Sequence, residues 1–441
     1  MQERNRAKVL AAARAEFVER GFREAKIDVI AERAGLTRGA VYSNFPGKRA
    51  LYFAVLAADA ASRERSDGTA RTPREALAAL ARSWLGDLPL ATDGGPSRLA
   101  AELLPVILAD ERVRRPFAQL TGLTALLVGL ALERLQAERT FRPRMVRVAE
   151  AALTILHGAG QLAAAAPGFV DEMVVVDTCA QLADADFADR WAPPHLEYIA
   201  PARPVDLPFR PDELNRPNPG DDNWPGRARP PYGLPDRPQR GGADGGLGAA
   251  RDVGPGGGFG PTGGGGVRPG LGGLGPVGSG VGPGGDFGQT AADGGVRPDV
   301  GGLGPVGDGR GLEPGVVDDG VLVLLGLHRL TALEEAVRAA PRGVAVVAAL
   351  VTGEAAELAP LARLVLADAD RHLGAAFPAA ARPAVRIVLD EAGDLAAAAG
   401  VTAVSDATET AVRIRGGRIV ARADGPGAAH AAASATERGG R

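Results

Sequence analysis

KIDVIAERAGLTRGAVYSNFPGK, residues 26–48, reads as two short helices meeting at a glycine turn. Ile27, Ile30, Ala31 and Ala34 fall at helical spacing and give the first helix an apolar face. Gly35 supplies the backbone freedom for the break, and Leu36 closes the turn. Thr37 stands where an N-cap belongs, and Ala40, Val41 and Phe45 give the second helix its buried face. Arg38, Gly39, Tyr42, Ser43 and Asn44 are left to point elsewhere. A second helix of this kind enters the major groove of double-stranded DNA, with its first residues at base edges and its flanks on phosphates. The competing reading is a plain αα-hairpin within a helical bundle.

Charge is distributed to match. The 441-residue chain has a formal net charge of −3, yet residues 1–65 hold thirteen Lys and Arg against eight Asp and Glu, a local +5. That segment can neutralise several phosphates while the remainder stays acidic. Cys179 is the one thiol, which excludes a disulfide framework and a cysteine-based metal cluster and fits a cytoplasmic protein. No cofactor or metal is expected. No apolar run approaches the roughly 20 residues of a membrane span, and the N-terminus is charged and amphipathic rather than signal-like.

The run A-x-I-x-x-IA-x-x-AG-L-x-x-G-x-VY-x-NF-x-x-K, from Ala25 to Lys48, resembles the DNA-binding motif of the tetracycline-repressor (TetR) family of bacterial transcriptional regulators. It is preceded by a helix over 5–20 with Leu10, Ala13 and Phe17 on one face. The resemblance implies that Arg38 and Gly39 face bases with Ala40 and Ser43 nearby, that Tyr42, Asn44, Lys48 and Lys26 contact phosphates, and that Thr37 belongs to the same DNA-binding set. It also implies a homodimer on a roughly palindromic operator, most often a repressor released by a small-molecule effector. One position departs. The residue before Ile27 is usually a threonine that caps the helix and touches a phosphate; Lys26 can keep the phosphate contact but loses the cap.

Beyond Lys48 a helix over 49–63, with Leu51, Tyr52, Val55 and Leu56 at helical spacing, links head to body. Helical patterns continue over 73–88, 97–110, 116–139, 143–166 and 169–185, separated by Gly/Pro/Asp breaks. In the resembled family such a body binds the effector among its middle helices and dimerises through its last two. Here those are 143–166 and 169–185, where Met173, Val174, Val176, Cys179 and Leu182 offer apolar surface. Trp84, Leu104, Phe117, Leu127 and His157 are the candidate pocket residues, although an apolar or aromatic residue in an all-helical body is more often plain core.

Past Trp191 the composition changes. Proline recurs over 193–238, glycine and proline dominate 241–315, and GVRPGLGGLGPVGSG from Gly266 repeats from Gly295 with three of fifteen positions changed. Such a segment has too few apolar side chains to build a core, so a disordered linker is expected. Order returns at Val316. VLVLLGL from Val321, VAVVAALV from Val344 and VRIVLD from Val385 read as strands, TALEEAVRAA from Thr331 as a helix opening on a Thr-x-x-Glu capping box, and TAVRIRGGRIVARADG from Thr410 as a hairpin. This order, with D-x-x-x-x-L-A-x-x-x-G-V from Asp390 and G-R-I-V-A-R-x-x-G from Gly417, resembles the C-terminal half of a thioredoxin or peroxiredoxin. The segment where those proteins place a thiolate, Gly326-Leu327-His328-Arg329-Leu330, has no cysteine, so no thiol-disulfide chemistry is expected.

The expected architecture is multidomain: a helix-turn-helix head over 1–55, an all-helical effector-binding and dimerisation domain over 56–192, a disordered Pro/Gly-rich linker over 193–315 and a thioredoxin-like α/β domain over 316–436. The expected function is a TetR-type DNA-binding regulator, not an enzyme. The alternative makes the α/β domain a DNA-tethered interaction or enzymatic module.

Overall fold

The computed structural model describes residues 2–88, 96–136, 143–192, 199–211 and 319–435. Residues 212–315, most of the expected linker, lie outside the described residues.

The first helix, α1 (Gln2–Glu24), is broken at Gly21, with φ 77° and ψ 170°. The motif follows as α2 (Ile27–Ala34) and α3 (Arg38–Asn44), and Gly35 between them takes φ 64° and ψ 35°, the left-handed region that favours glycine. Thr37 caps α3 by accepting from the Ala40 N–H at 3.2 Å. Ile30, Val41 and Phe45 are buried with Val9, Ala13 and Phe17 of α1, so the head has its own apolar centre.

The body consists of α4 (Lys48–Ser62), α5 (Pro73–Leu85), α6 (Pro96–Ala101), α7 (Leu103–Leu108), α8 (Glu111–Leu135), α9 (Val146–Ala165) and α10 (Glu172–Gln181). The helix expected over 97–110 is divided at Glu102, whose carboxylate accepts from the Phe22 N–H at 2.6 Å. The expectation that no apolar run is long enough to span a membrane needs correction: α8 passes by length and composition, but 67% of its most apolar window is buried inside the molecule. Its apolar surface is continuous because α9 covers one side and elements of the α/β unit cover another.

The α/β unit comprises β1 (Arg203–Pro208), β2 (Gly320–Gly326), α11 (Leu333–Ala339), β3 (Ala345–Val351), α12 (Ala355–Ala376), β4 (Val385–Leu389), α13 (Asp394–Ala398), β5 (Glu409–Arg415), β6 (Arg418–Asp424) and α14 (Ala428–Ala433). Its mixed sheet has the order β1-β6-β5-β2-β3-β4, with β2, β3 and β4 parallel, β5 antiparallel to β2 and β6 antiparallel to β5. Strand β1 falls within the stretch expected to be disordered. Its prolines, Pro204 and Pro208, lack N–H donors, which an edge strand tolerates, and Arg418 pairs with Asp206 across the β1–β6 ladder. Thr331 is not the cap expected of it: α11 enters through a 3-10 turn, Leu330–Ala332, and its N-cap is Ala332.

A single apolar core extends from α1 through the body to the face of the sheet that carries Val321, Val323 and Leu325, and a smaller one lies on the opposite face. The join is made largely by α12, which packs along α4 and also meets α5 and α8. Charge fixes the same seam. Arg144 grips Glu334 through two bonds of 2.6 and 2.7 Å, Arg338 reaches Glu133 at 2.8 Å, and Arg49 reaches Glu357 at 2.7 Å. The head, body and α/β unit therefore share buried surface.

Candidate nucleic-acid interface and ligand cavity

Helix α3 separates its residues by side. Val41 is buried, Thr37, Arg38, Gly39, Tyr42 and Ser43 are exposed, and Ala40 and Asn44 lie half-buried at the margin. Packing of Val41 and Phe45 onto α1 is what turns that face outward. The Arg38 guanidinium lies 5.5 Å from the Tyr42 ring centroid and 3.3 Å from Asp28, an exposed pair that solvent screens. Ser43 Oγ and Asn44 Nδ2 both donate to the Ala40 carbonyl, at 2.9 and 2.8 Å.

Lys26 is exposed at the N-terminus of α2, in extended conformation, and its side chain makes no capping bond. Its N–H lies 3.4 Å from Glu16, a fully buried carboxylate that also meets Arg20 and Arg33. Lys48 is more enclosed. Its Nζ donates to the carbonyls of Arg23 and Ala25 at 3.0 and 3.1 Å and sits 4.8 Å from the Phe22 ring, so it ties α4 to the end of α1. Burial lowers the Lys48 pKa from its ordinary value.

A cavity of about 190 Å³ opens in the body. Of the candidate pocket residues, Trp84, Leu104, Phe117 and His157 line it. Leu127 does not. It is fully buried in α8 and belongs to the core, a distinction that helical periodicity does not draw. The sequence reading also missed the wall contributed by α12, including Leu364, Asp368 and His372. The rings of Phe117, His157, Trp84 and His372 form a strip: Phe117–His157 at 6.3 Å edge-on, His157–Trp84 at 4.8 Å, and Trp84–His372 stacked at 4.7 Å. Desolvation lowers the pKa of His157, and lowers that of His372 further with help from Arg371, Arg63 and His157.

The surface expected for dimerisation is divided. Val176 and Cys179 are buried, while Met173, Val174 and Phe169 are 64%, 61% and 71% exposed. Burial pushes the Cys179 thiol up to about 11.

The family described as bacterial regulatory proteins, tetR family, matches residues 9–55. The HTH-type transcriptional regulator SrpR of Pseudomonas putida is 47% identical over 55 residues, which is 12% of this chain and 26% of that protein. The HTH-type transcriptional activator FasR of Mycolicibacterium smegmatis is 42% identical over 55 residues, 12% of this chain and 25% of its own length. The chain thus spans about a quarter of the length of these two relatives. Among solved structures, a TetR transcriptional regulator from Rhodococcus sp. RHA1 aligns at 18% identity over 42% of this chain and 94% of that chain, with a TM-score of 0.27. The matched residues run from Val9 within α1 to the first half of α4 and include the whole helix-turn-helix, so over residues 9–55 the chain is similar to the DNA-binding domain of the TetR family.

Proposed function

We propose that the whole chain is a transcriptional regulator of TetR type that binds a roughly palindromic operator as a homodimer. The observation that carries this is the sidedness of α3: an apolar anchor at Val41 and an exposed edge of Thr37, Arg38, Gly39, Tyr42 and Ser43. In this reading Arg38 and Gly39 meet base edges, Ala40 and Ser43 lie beside them, and Tyr42, Asn44, Lys26 and Lys48 hold phosphates. Two heads are brought together through α9 and α10, whose neighbourhood leaves Leu162, Phe169, Met173 and Val174 exposed. The small-molecule effector enters the cavity beside Trp84, and its binding releases the operator, which makes the protein a repressor. The parallel β2–β3 pair and the β5–β6 hairpin support the thioredoxin-like reading of the α/β unit, with β4 added outside β3.

Sequencing the genomic DNA retained by the purified full-length protein tests this directly. Enrichment of one inverted-repeat site, with the preference at one base step of each half lost on Arg38→Ala, is the expected result. Retention without sequence preference, or by a species whose mass in solution is that of one chain, overturns it.

A further inference from the structure

The cavity beside Trp84 is built by two parts of the chain. Trp84, Phe117 and His157 belong to the helical body, whereas Leu364, Val365, Asp368 and His372 come from α12 of the α/β unit. Without α12 the cavity lacks a wall.

Most polar groups around it are already partnered. Arg371 Nη2 lies 3.1 Å from His372 Nε2, and a guanidinium can only donate, so Nε2 is the acceptor and His372 Nδ1 carries the proton donated to Ser83 Oγ at 2.9 Å. Asp87 pairs with both Arg63 and Arg371, and Asp59 pairs with Arg14. Thr121 and Thr124 donate to carbonyls of their own helix. His157 is different. Its Nδ1 lies 2.8 Å from the Leu153 carbonyl, which fixes the proton there and leaves Nε2 as an acceptor on a ring that lines the cavity. The site therefore offers aromatic faces, aliphatic walls, ion pairs that include Asp368, the His157 Nε2 acceptor and, at its margin, the Gln161 carboxamide. An apolar cavity of about 150 Å³ holds benzene, so one of about 190 Å³ holds a somewhat larger ring system.

The same helix reaches the head. Glu357, at the start of α12, accepts from Arg49 Nε at 2.7 Å, and Arg49 lies in the first turn of α4, directly after the DNA-binding motif. At a rise of about 1.5 Å per residue, Glu357 and His372 are separated by roughly 22 Å of continuous helix.

Resting on the effector reading above, we propose that the α/β unit is part of the receptor. The shared cavity takes a flat, uncharged two-ring compound with one hydroxyl donor for His157, and α12 transmits its occupancy to α4.

The probe is 2-naphthol, titrated into the full-length protein by calorimetry, with naphthalene and the three-ring 9-phenanthrol as comparisons. Wild type is expected to bind one 2-naphthol per chain. His157→Phe is expected to weaken 2-naphthol by about tenfold or more while leaving naphthalene unchanged. Val365→Ala, which enlarges the cavity from the α12 side alone, is expected to shift preference from 2-naphthol toward 9-phenanthrol by about tenfold. The switch is read as tighter binding of 9-phenanthrol than wild type shows, a gain that misfolding cannot produce. No saturable 2-naphthol binding by wild type at millimolar concentration overturns the ligand class. Normal binding with no change of preference in Val365→Ala overturns the role of α12 and leaves the effector reading intact, and DNA retention by the same preparations reports separately on the regulator reading.

Discussion

The ring of His372 lies 4.7 Å from that of Trp84 at an interplanar angle of 24°, stacking a helix of the α/β unit on a helix of the regulator body. His372 is 5% exposed and faces Ser83, Asp87, Arg371, Arg63 and His157. Burial first, then the two arginines, holds its pKa well below the ordinary histidine value. Protons are thus taken up by the unfolded chain and not by the folded one as pH falls through about 6.5. Stability present above that value is lost below it, by up to about 1.4 kcal/mol one unit lower. Asp368, whose carboxyl is pushed up by burial, contributes with the opposite sign in the acid range. The melting temperature of wild type should fall between pH 7.5 and 5.5, and that of His372→Phe should fall less. Parallel curves for the two proteins would exclude this account.

Arg49 joins three parts of the molecule, since its guanidinium pairs with Asp110 of the body and with Glu357 of α12. A double-mutant cycle over Arg49→Ala and Glu357→Ala should give a coupling energy of about 1 kcal/mol, the scale of a partly enclosed charged pair. Zero coupling in urea denaturation would mean that this pair does not help to hold α12 on α4.

Gly68 lies where the segment between α4 and α5 crosses the C-terminal end of α12, and its N–H donates to the Gly374 carbonyl at 2.7 Å. A Cβ there would meet the Ala376 carbonyl carbon and the Phe377 nitrogen at 2.5 Å, both backbone atoms that cannot rotate away. Gly68→Ala should therefore cost about 2 kcal/mol through overpacking. An unchanged denaturation midpoint would show that the two segments separate readily at this crossing.

These contacts mark where sequence reading succeeds and where it stops. The head was legible because each residue carries its own local reason: apolar spacing at Ile27, Ile30 and Ala34, a left-handed glycine at Gly35 and a capping hydroxyl at Thr37. Helix α4 carried a signal that was underused. The run ALYFAVLAA, from Ala50, has no polar face, and a helix apolar all round is covered on more than one side. That cover is α12, some 300 residues later in the chain, and its apolar surface is equally consistent with packing on its own sheet alone. Strand β1 was missed for the opposite reason, because Pro204 and Pro208 signal breakage everywhere except at a sheet edge. Leu127 and Leu104 are alike in sequence; only the packing puts Leu104 at the cavity and Leu127 in the core.

Lys26 occupies the N-cap of α2 with φ −117° and ψ 132°, a conformation that threonine adopts freely, and its side chain satisfies none of the first-turn N–H groups. Lys26→Thr should raise stability by about 1 kcal/mol by restoring the cap. If the lysine contacts a phosphate, the same change should reduce the slope of log affinity against log salt by about one unit. Stability and salt slope both unmoved would remove Lys26 from either role.

Arg38 and Lys48 should separate specificity from affinity. Arg38 is exposed on the reading edge, and its pair with Asp28 contributes little to folding, so Arg38→Ala should leave the melting temperature unchanged while relaxing discrimination at one base step by about 1–3 kcal/mol. Lys48 behaves otherwise because two of its three N–H donors already hold the carbonyls of Arg23 and Ala25, leaving one for a phosphate. Lys48→Ala should lower the melting temperature, weaken binding to all sequences alike and flatten the salt dependence. Fluorescence anisotropy on operator and scrambled duplexes, read at several salt concentrations beside thermal melts, distinguishes the two patterns. Loss of stability in Arg38→Ala, or a sequence-selective defect in Lys48→Ala, would reverse the assignment of base and phosphate contacts.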